Sequence, residues 1–217
     1  MTDGPPEDLE ALSLVEQAIQ GDSRAWRRLV EDHRDGLRRM VALRMDRRLQ
    51  GRIDPSDIIQ ESYIDAARRL PEYVANPKMP FFIWLRWLVG QRMMEQHRRH
   101  LGVQARDVTR EVSLYQGAFP EATTADLATN LLGRLDSPSQ EAIQVEQRKR
   151  LQEALDLLEP IDREVLVLRH FEQLSNGETA EVLNLDKSAA SKRYTRALLH
   201  LKSALIGMPG GLKDVLI

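Results

Sequence analysis

Between Lys187 and Arg196 the chain carries short hydroxyls and cations at helical spacing. Ser188, Ser191, Lys192 and Thr195 fall at i, i+3, i+4 and i+7, with Lys187, Arg193 and Arg196 beside them. Such a face suits a DNA major groove, because small donors reach base edges while lysines and arginines neutralise the flanking phosphates. A merely solvated helix can look the same, so the preceding residues decide. Ser175 and Glu178 have the spacing of a capping box, Ala180 is small enough for a close helix crossing, and Asn184 tolerates a left-handed turn. Leu185 can plug the corner and Asp186 can cap the next helix. That order predicts a helix-turn-helix from Ser175 to Leu205, its second helix buried along Ala190, Tyr194, Ala197, Leu198 and Leu201.

Two further constellations lie earlier. Asp57, Gln60, Glu61 and Ile64 share one face of a helix at i, i+3, i+4 and i+7. Acids in a first turn complement the helix dipole, which accounts for Asp57 but neither for Glu61 nor for an apolar Ile64 beside them. A docking face for a basic helical partner accounts for all four. Near the middle, Phe81, Phe82, Trp84 and Trp87 precede Arg86, Arg92, Arg98 and Arg99. Aromatic rings can stack unpaired bases while guanidiniums hold the strand's phosphates, although Trp84 is expected in the core.

Catalytic chemistry finds no such support. His97 and His100 sit beside Arg98 and Arg99 without a third ligand, and neither a Gly-rich phosphate loop nor a nucleophile elbow occurs. Cysteine is absent, which removes disulfides and thiolate metal sites. No catalytic residue, metal or cofactor is expected. With no long apolar run and no basic-then-apolar start, the reading is a cytoplasmic protein without membrane insertion, at the nucleoid when active.

The net charge of −2 conceals segregation: residues 1–23 carry −6, 24–110 carry +8, 111–165 carry −6 and 166–217 carry +2. Two basic blocks separated by an acidic one permit two nucleic-acid contacts joined by a section that avoids DNA or imitates it.

Periodicity predicts helices almost throughout, so the class is all-α: two small helical domains joined by a flexible linker, the C-terminal one containing the helix-turn-helix. The first domain spans 1–102. After a Pro-rich start, it holds a helix from about Glu7 to Gln20, a second capped by Asp22, a third from Asp54 to about Leu70, and a fourth from about Phe81 to His100. Pro71, Pro77 and Pro80 bound a loop between the last two. Residues 103–136 read as linker, with a short helix near Ala125 to Leu132. The second domain, 137–217, opens on a capping pattern at Ser137 and Gln140 and holds four helices.

In this order the segments resemble the bacterial RNA polymerase sigma factors of the sigma-70 family, specifically the short two-domain extracytoplasmic-function class. DPSDIIQESYIDAARRL, from Asp54 to Leu70, resembles the family's polymerase-docking helix. FFIWLRWLVGQRMMEQHRR, from Phe81 to Arg99, resembles its promoter-melting and −10-reading helix, and the stretch from Leu158 to Leu198 resembles its −35-reading region. The resemblance implies that Asp57, Gln60, Glu61 and Ile64 bind the clamp helices of the polymerase largest subunit. It implies −10 DNA contacts by Phe82, Arg86, Trp87, Arg92, Arg98 and Arg99. For the −35 element it implies Lys187, Ser188, Ser191, Lys192, Arg193, Thr195 and Arg196. Implied partners are core RNA polymerase, through clamp and flap, promoter DNA, and an anti-sigma factor as a candidate. Lys187 and Ser188 stand where Val-Gly is usual, so the −35 letters do not transfer. The alternative is a helix-turn-helix regulator that acts without docking on polymerase.

Overall fold

The computed structural model describes residues 6–101, 122–132 and 141–207. The Pro-rich start, most of the stretch read as linker, and the Ser137–Gln140 capping pattern lie outside them. The chain divides into two units, Met1–Pro120 and Glu121–Ile217, and every regular element among the described residues is helical.

The first unit contains α1 (Pro6–Ile19), α2 (Ser23–Arg44), the single turn α3 (Arg47–Gln50), α4 (Pro55–Ala75) and α5 (Phe81–Leu101). Gly21, at φ 91°, makes the left-handed reversal between α1 and α2, a conformation that costs glycine little. Asp22 then caps α2 by accepting hydrogen bonds from the amides of Arg24 and Ala25. Asp54 does the same for α4 through the Ser56 amide at 2.7 Å, with Pro55 fixing φ at the first helical position. α2 packs against α1, α4 and α5, and α4 against α5. Leu29, Leu37, Met40, Ile58, Leu85 and Met93 are almost completely buried between them, each contributing about 1.5–3 kcal/mol of burial. A hydrogen bond from the Tyr63 hydroxyl to the Val30 carbonyl, 3.0 Å, ties α4 to α2.

α4 does not stop at Leu70: it runs through Pro71 to Ala75. Proline removes one amide donor and crowds the preceding turn, but the turn beyond it carries Tyr73. That ring is buried, stacks on Trp84 at 4.6 Å and meets Phe81 edge-on at 5.9 Å. Its hydroxyl donates to the Met79 carbonyl at 2.9 Å. Burying and satisfying this side chain outweighs the proline penalty, and the loop shortens to 76–80.

The second unit contains α6 (Thr124–Leu132), α7 (Glu141–Asp156), α8 (Pro160–Leu166), α9 (Asn176–Leu183) and α10 (Lys187–Gly207). α6 falls where the sequence suggested a short helix, but within the linker; here it packs on α7, and Thr124 Oγ1 donates to Asp156 at 2.8 Å. α8 continues as a wider π-turn, Val167–Phe171, closed by the Glu172 amide on the Val167 carbonyl. Gln173 then adopts φ 60°, which returns Leu174 to the core. α10 crosses α7, α8 and α9 and so forms the spine of the unit.

Candidate nucleic-acid interface

The turn between α9 and α10 is built as its residue types require. Ser175 Oγ accepts from the Glu178 amide at 3.2 Å, and Glu178 accepts from the Ser175 amide at 2.7 Å. Asn184 takes the left-handed conformation, φ 52° and ψ 49°, and Asp186 caps α10 through the Ala189 amide at 2.8 Å. Ala180, Ala190 and Ala197 are buried at the crossing, where larger side chains would hold the helices apart. One contact was not foreseen: Asn176 Nδ2 donates to the Lys187 carbonyl at 2.8 Å, locking the two helix starts together. A side chain at Gly177 would meet Lys187 at 3.4 Å, so the approach is close.

This frame leaves Lys187, Ser188, Ser191, Lys192 and Thr195 exposed along α10. Arg193 and Arg196 are placed differently from expectation. Both turn toward Asp162 on α8, whose carboxylate is 1 % exposed. Arg193 donates from Nη1 at 3.0 Å, and Arg196 grips both oxygens from Nε at 2.9 Å and Nη2 at 2.8 Å. Burial alone would push the Asp162 carboxyl up, but the hydrogen bonds from Arg196 and Arg193 outweigh it and hold the group below its ordinary value. Asp162 had a visible signal as an acid in the first turn of a Pro-opened helix, yet its partners lie 31 and 34 residues away. Nearby, Tyr194 is half-buried, sharing a hydrogen bond with His170 Nε2 at 2.9 Å beneath the Arg169 guanidinium at 5.3 Å. Burial, with Arg169 beside it, holds the His170 imidazole below its ordinary value.

In the first unit, Asp57, Gln60 and Glu61 are exposed on α4, and Ile64 beside them is 55 % exposed. Ile58, Ile59, Ser62, Ala66 and Leu70 face the other way, so the helix has one buried face and one largely polar face on which Ile64 is the most exposed large apolar residue.

The basic and aromatic set on α5 is split. Phe82 is half-buried, set over the His33 ring at 4.9 Å and against Gly36, where a Cβ would sit 3.4 Å from it. Trp87 is half-buried and lines an open depression with Tyr73, Asn76, Lys78 and Trp84. Arg98 and Arg99 are exposed, Arg99 paired with Glu95. Arg86 is not on this surface; it is 2 % exposed, because it falls on the same inward row of α5 as Val89, Gly90 and Met93. Arg92 is enclosed by acids, with Asp65 at 2.5 Å, Glu95 at 2.8 Å and Glu61 at 3.4 Å, so it joins α4 to α5. His97 accepts a hydrogen bond from the Asp46 amide at 3.3 Å, and burial lowers its pKa. Among the described residues no group of three or more His, Cys, Asp or Glu is placed to hold a metal ion, and no helix is long and apolar enough to cross a membrane.

A capped helix-turn-helix whose second helix turns hydroxyls and lysines to solvent defines a DNA-binding protein of the helix-turn-helix class. Residues 148–201, which include all of it, match the family description "Sigma-70, region 4". Over nearly the whole chain the similarity is to RNA polymerase sigma factors. The extracytoplasmic-function sigma factor SigD of Mycobacterium tuberculosis is 26% identical over 194 residues, 89% of this chain and 83% of that protein. The sigma factor CnrH of Cupriavidus metallidurans is 29% identical over 204 residues, 92% of this chain and 96% of the relative. The fold is similar to that of CnrH solved in complex with the cytosolic domain of CnrY, with TM-score 0.50 and 23% identity over 90% of this chain and 97% of that one. The chain is thus similar over most of its length to RNA polymerase sigma factors, and its residues 148–201 match sigma-70 region 4.

Proposed function

We propose that the exposed face of α4 docks this factor on the clamp helices of core polymerase, that α5 holds the opened −10 strand, and that α10 reads the −35 element. The observation that carries the docking role is Ile64, more than half exposed between Glu61 and the end of a helix whose opposite face is fully packed. An apolar residue amid carboxylates and an amide fits a partner that is basic at the rim and apolar at the centre.

At the −10 element, Phe82 and Trp87 would stack unpaired bases while Arg98 and Arg99 meet phosphates. Stacking offsets lost base pairing, so opening needs no nucleotide hydrolysis. At the −35 element, Lys187, Ser188, Ser191, Lys192 and Thr195 supply the donors and charge; Arg193 and Arg196 act mainly through their hold on α8. On this reading residues 1–102 form the polymerase and −10 domain and 137–217 the −35 domain, with α6 an addition packed on the latter. CnrH has been solved with the cytosolic domain of CnrY. By analogy this chain is held inactive by an anti-sigma protein that competes for the same surfaces.

The test is run-off transcription with purified core polymerase on a library of genomic fragments. The expected result is promoter-specific transcripts that require the chain. If the chain neither co-elutes with core polymerase nor yields a transcript, the proposal fails.

A further inference from the structure

Asp162 is a buried carboxylate aimed at the helix that would read DNA, and the mechanism above does not use it. Its two oxygens take three charge-assisted hydrogen bonds from Arg193 and Arg196, the latter in the two-pronged geometry by which arginine also grips phosphate. A DNA phosphate must compete with this acid for the donors that it holds and for the charge that it partly neutralises. Separating acid and arginines would leave a buried charge without partners, which is strongly unfavourable. At 1 % exposure the carboxylate cannot itself touch DNA across the interface. Its influence runs through the two arginines.

We propose that Asp162 is a positioning residue for promoter reading. By occupying Arg193 and Arg196 it withholds two of α10's cations from phosphate, lowers sequence-independent affinity for DNA, and leaves discrimination to Lys187, Ser188, Ser191, Lys192 and Thr195. The inference rests on α10 being the DNA-reading helix. Sequence-independent affinity scales with the phosphates neutralised, and each contributes about 0.9 to the slope of log affinity against log salt. An internal acid that removes two cations therefore alters the slope, a quantity that a purely structural clamp leaves unchanged.

The full chain is titrated with a labelled mixed-sequence DNA duplex between about 50 and 200 mM salt. Asp162→Asn should steepen the slope by about 1.8, so that its advantage over the native chain changes roughly tenfold across that range. The triple variant Asp162→Asn, Arg193→Gln, Arg196→Gln should return to the native slope, and it carries the test if the single variant does not fold. A native-like slope for folded Asp162→Asn, or a triple variant shallower than native, overturns the inference. Lys187→Gln with Lys192→Gln separates the two levels of reasoning. A flattened slope in that variant, without steepening in Asp162→Asn, removes the role of Asp162 alone. No flattening removes the DNA-reading role of α10, and this inference with it.

Discussion

Glu61→Lys should abolish polymerase docking while leaving the first unit folded. Of the three carboxylates around Arg92, Glu61 is the most distant and about half exposed, at 3.4 Å, while Asp65 and Glu95 stand at 2.5 and 2.8 Å. Its removal leaves Arg92 with two close partners. An exposed pair of this kind is worth about 0.5 kcal/mol, and a new ammonium beside Arg92 adds repulsion of similar size. The sum, about 1 kcal/mol, corresponds to a fall of roughly 4–8 °C in the melting of a unit of this size. The effect on docking is larger, because reversal replaces attraction to a basic surface by like-charge repulsion. A loss of about 2.7 kcal/mol, near the low end for such a juxtaposition, weakens binding about a hundredfold. Competition between labelled native chain and the variant for core polymerase measures this directly, with Glu61→Gln expected in between. The reasoning is refuted if Glu61→Lys melts as a folded unit yet binds core polymerase within about threefold of native.

Asn184→Ala should destabilise the second unit by about 1–2 kcal/mol through the left-handed backbone at that position, whereas Asn184→Gly should not; equal melting curves for the two variants would show that the turn carries no such strain. Burial pushes the Tyr63 hydroxyl up to about 12, with nearby Glu31 and Asp35 also raising it and Arg34 opposing. A folded value above the unfolded one of about 10 means stability that is present below pH 10 and lost as pH rises toward 12; after discounting for partial exposure, roughly 1 kcal/mol is at stake. Tyr63→Phe should therefore be about 1 kcal/mol less stable than native near pH 8, from the lost hydrogen bond to Val30, and the gap should close by pH 12 in urea unfolding. Trp87→Ala should reduce promoter opening by holoenzyme about 5- to 150-fold, given about 1–3 kcal/mol per stacked base, with duplex binding at the −35 element unchanged. Permanganate reactivity of −10 thymines measures the opening, and native reactivity in the variant would place the stacked base elsewhere.

Local features were legible because their causes are local. The capping box at Ser175, the left-handed Asn184 and the caps at Asp22, Asp54 and Asp186 each need only residues within four positions, and all five take the expected form. Features set by partners far along the chain were not legible. Pro71 read as a helix end because its cost is local, while the reward, Tyr73 on Trp84 and Phe81, comes from the next helix. The π-turn left no periodic trace, since one extra residue per turn is smaller than the scatter of apolar positions. α6 read as part of a linker because its packing on α7 depends on a helix that begins beyond the intervening residues.

The cations illustrate the same limit with a functional consequence. Counting lysines and arginines along α5 and α10 overstates the charge available to DNA, because Arg86 is buried, Arg92 is enclosed by three carboxylates and Arg193 and Arg196 hold Asp162. A sequence shows each cation but not the acid that has already claimed it. On the proposed function, each unit alone then has few phosphate contacts and binds DNA weakly at physiological salt. Strong binding requires both units to be presented together on polymerase, where the second contact becomes intramolecular and gains effective concentration. Weak intrinsic affinity is thus what makes recognition depend on docking: a factor with all its arginines free would occupy DNA at random before it met its polymerase.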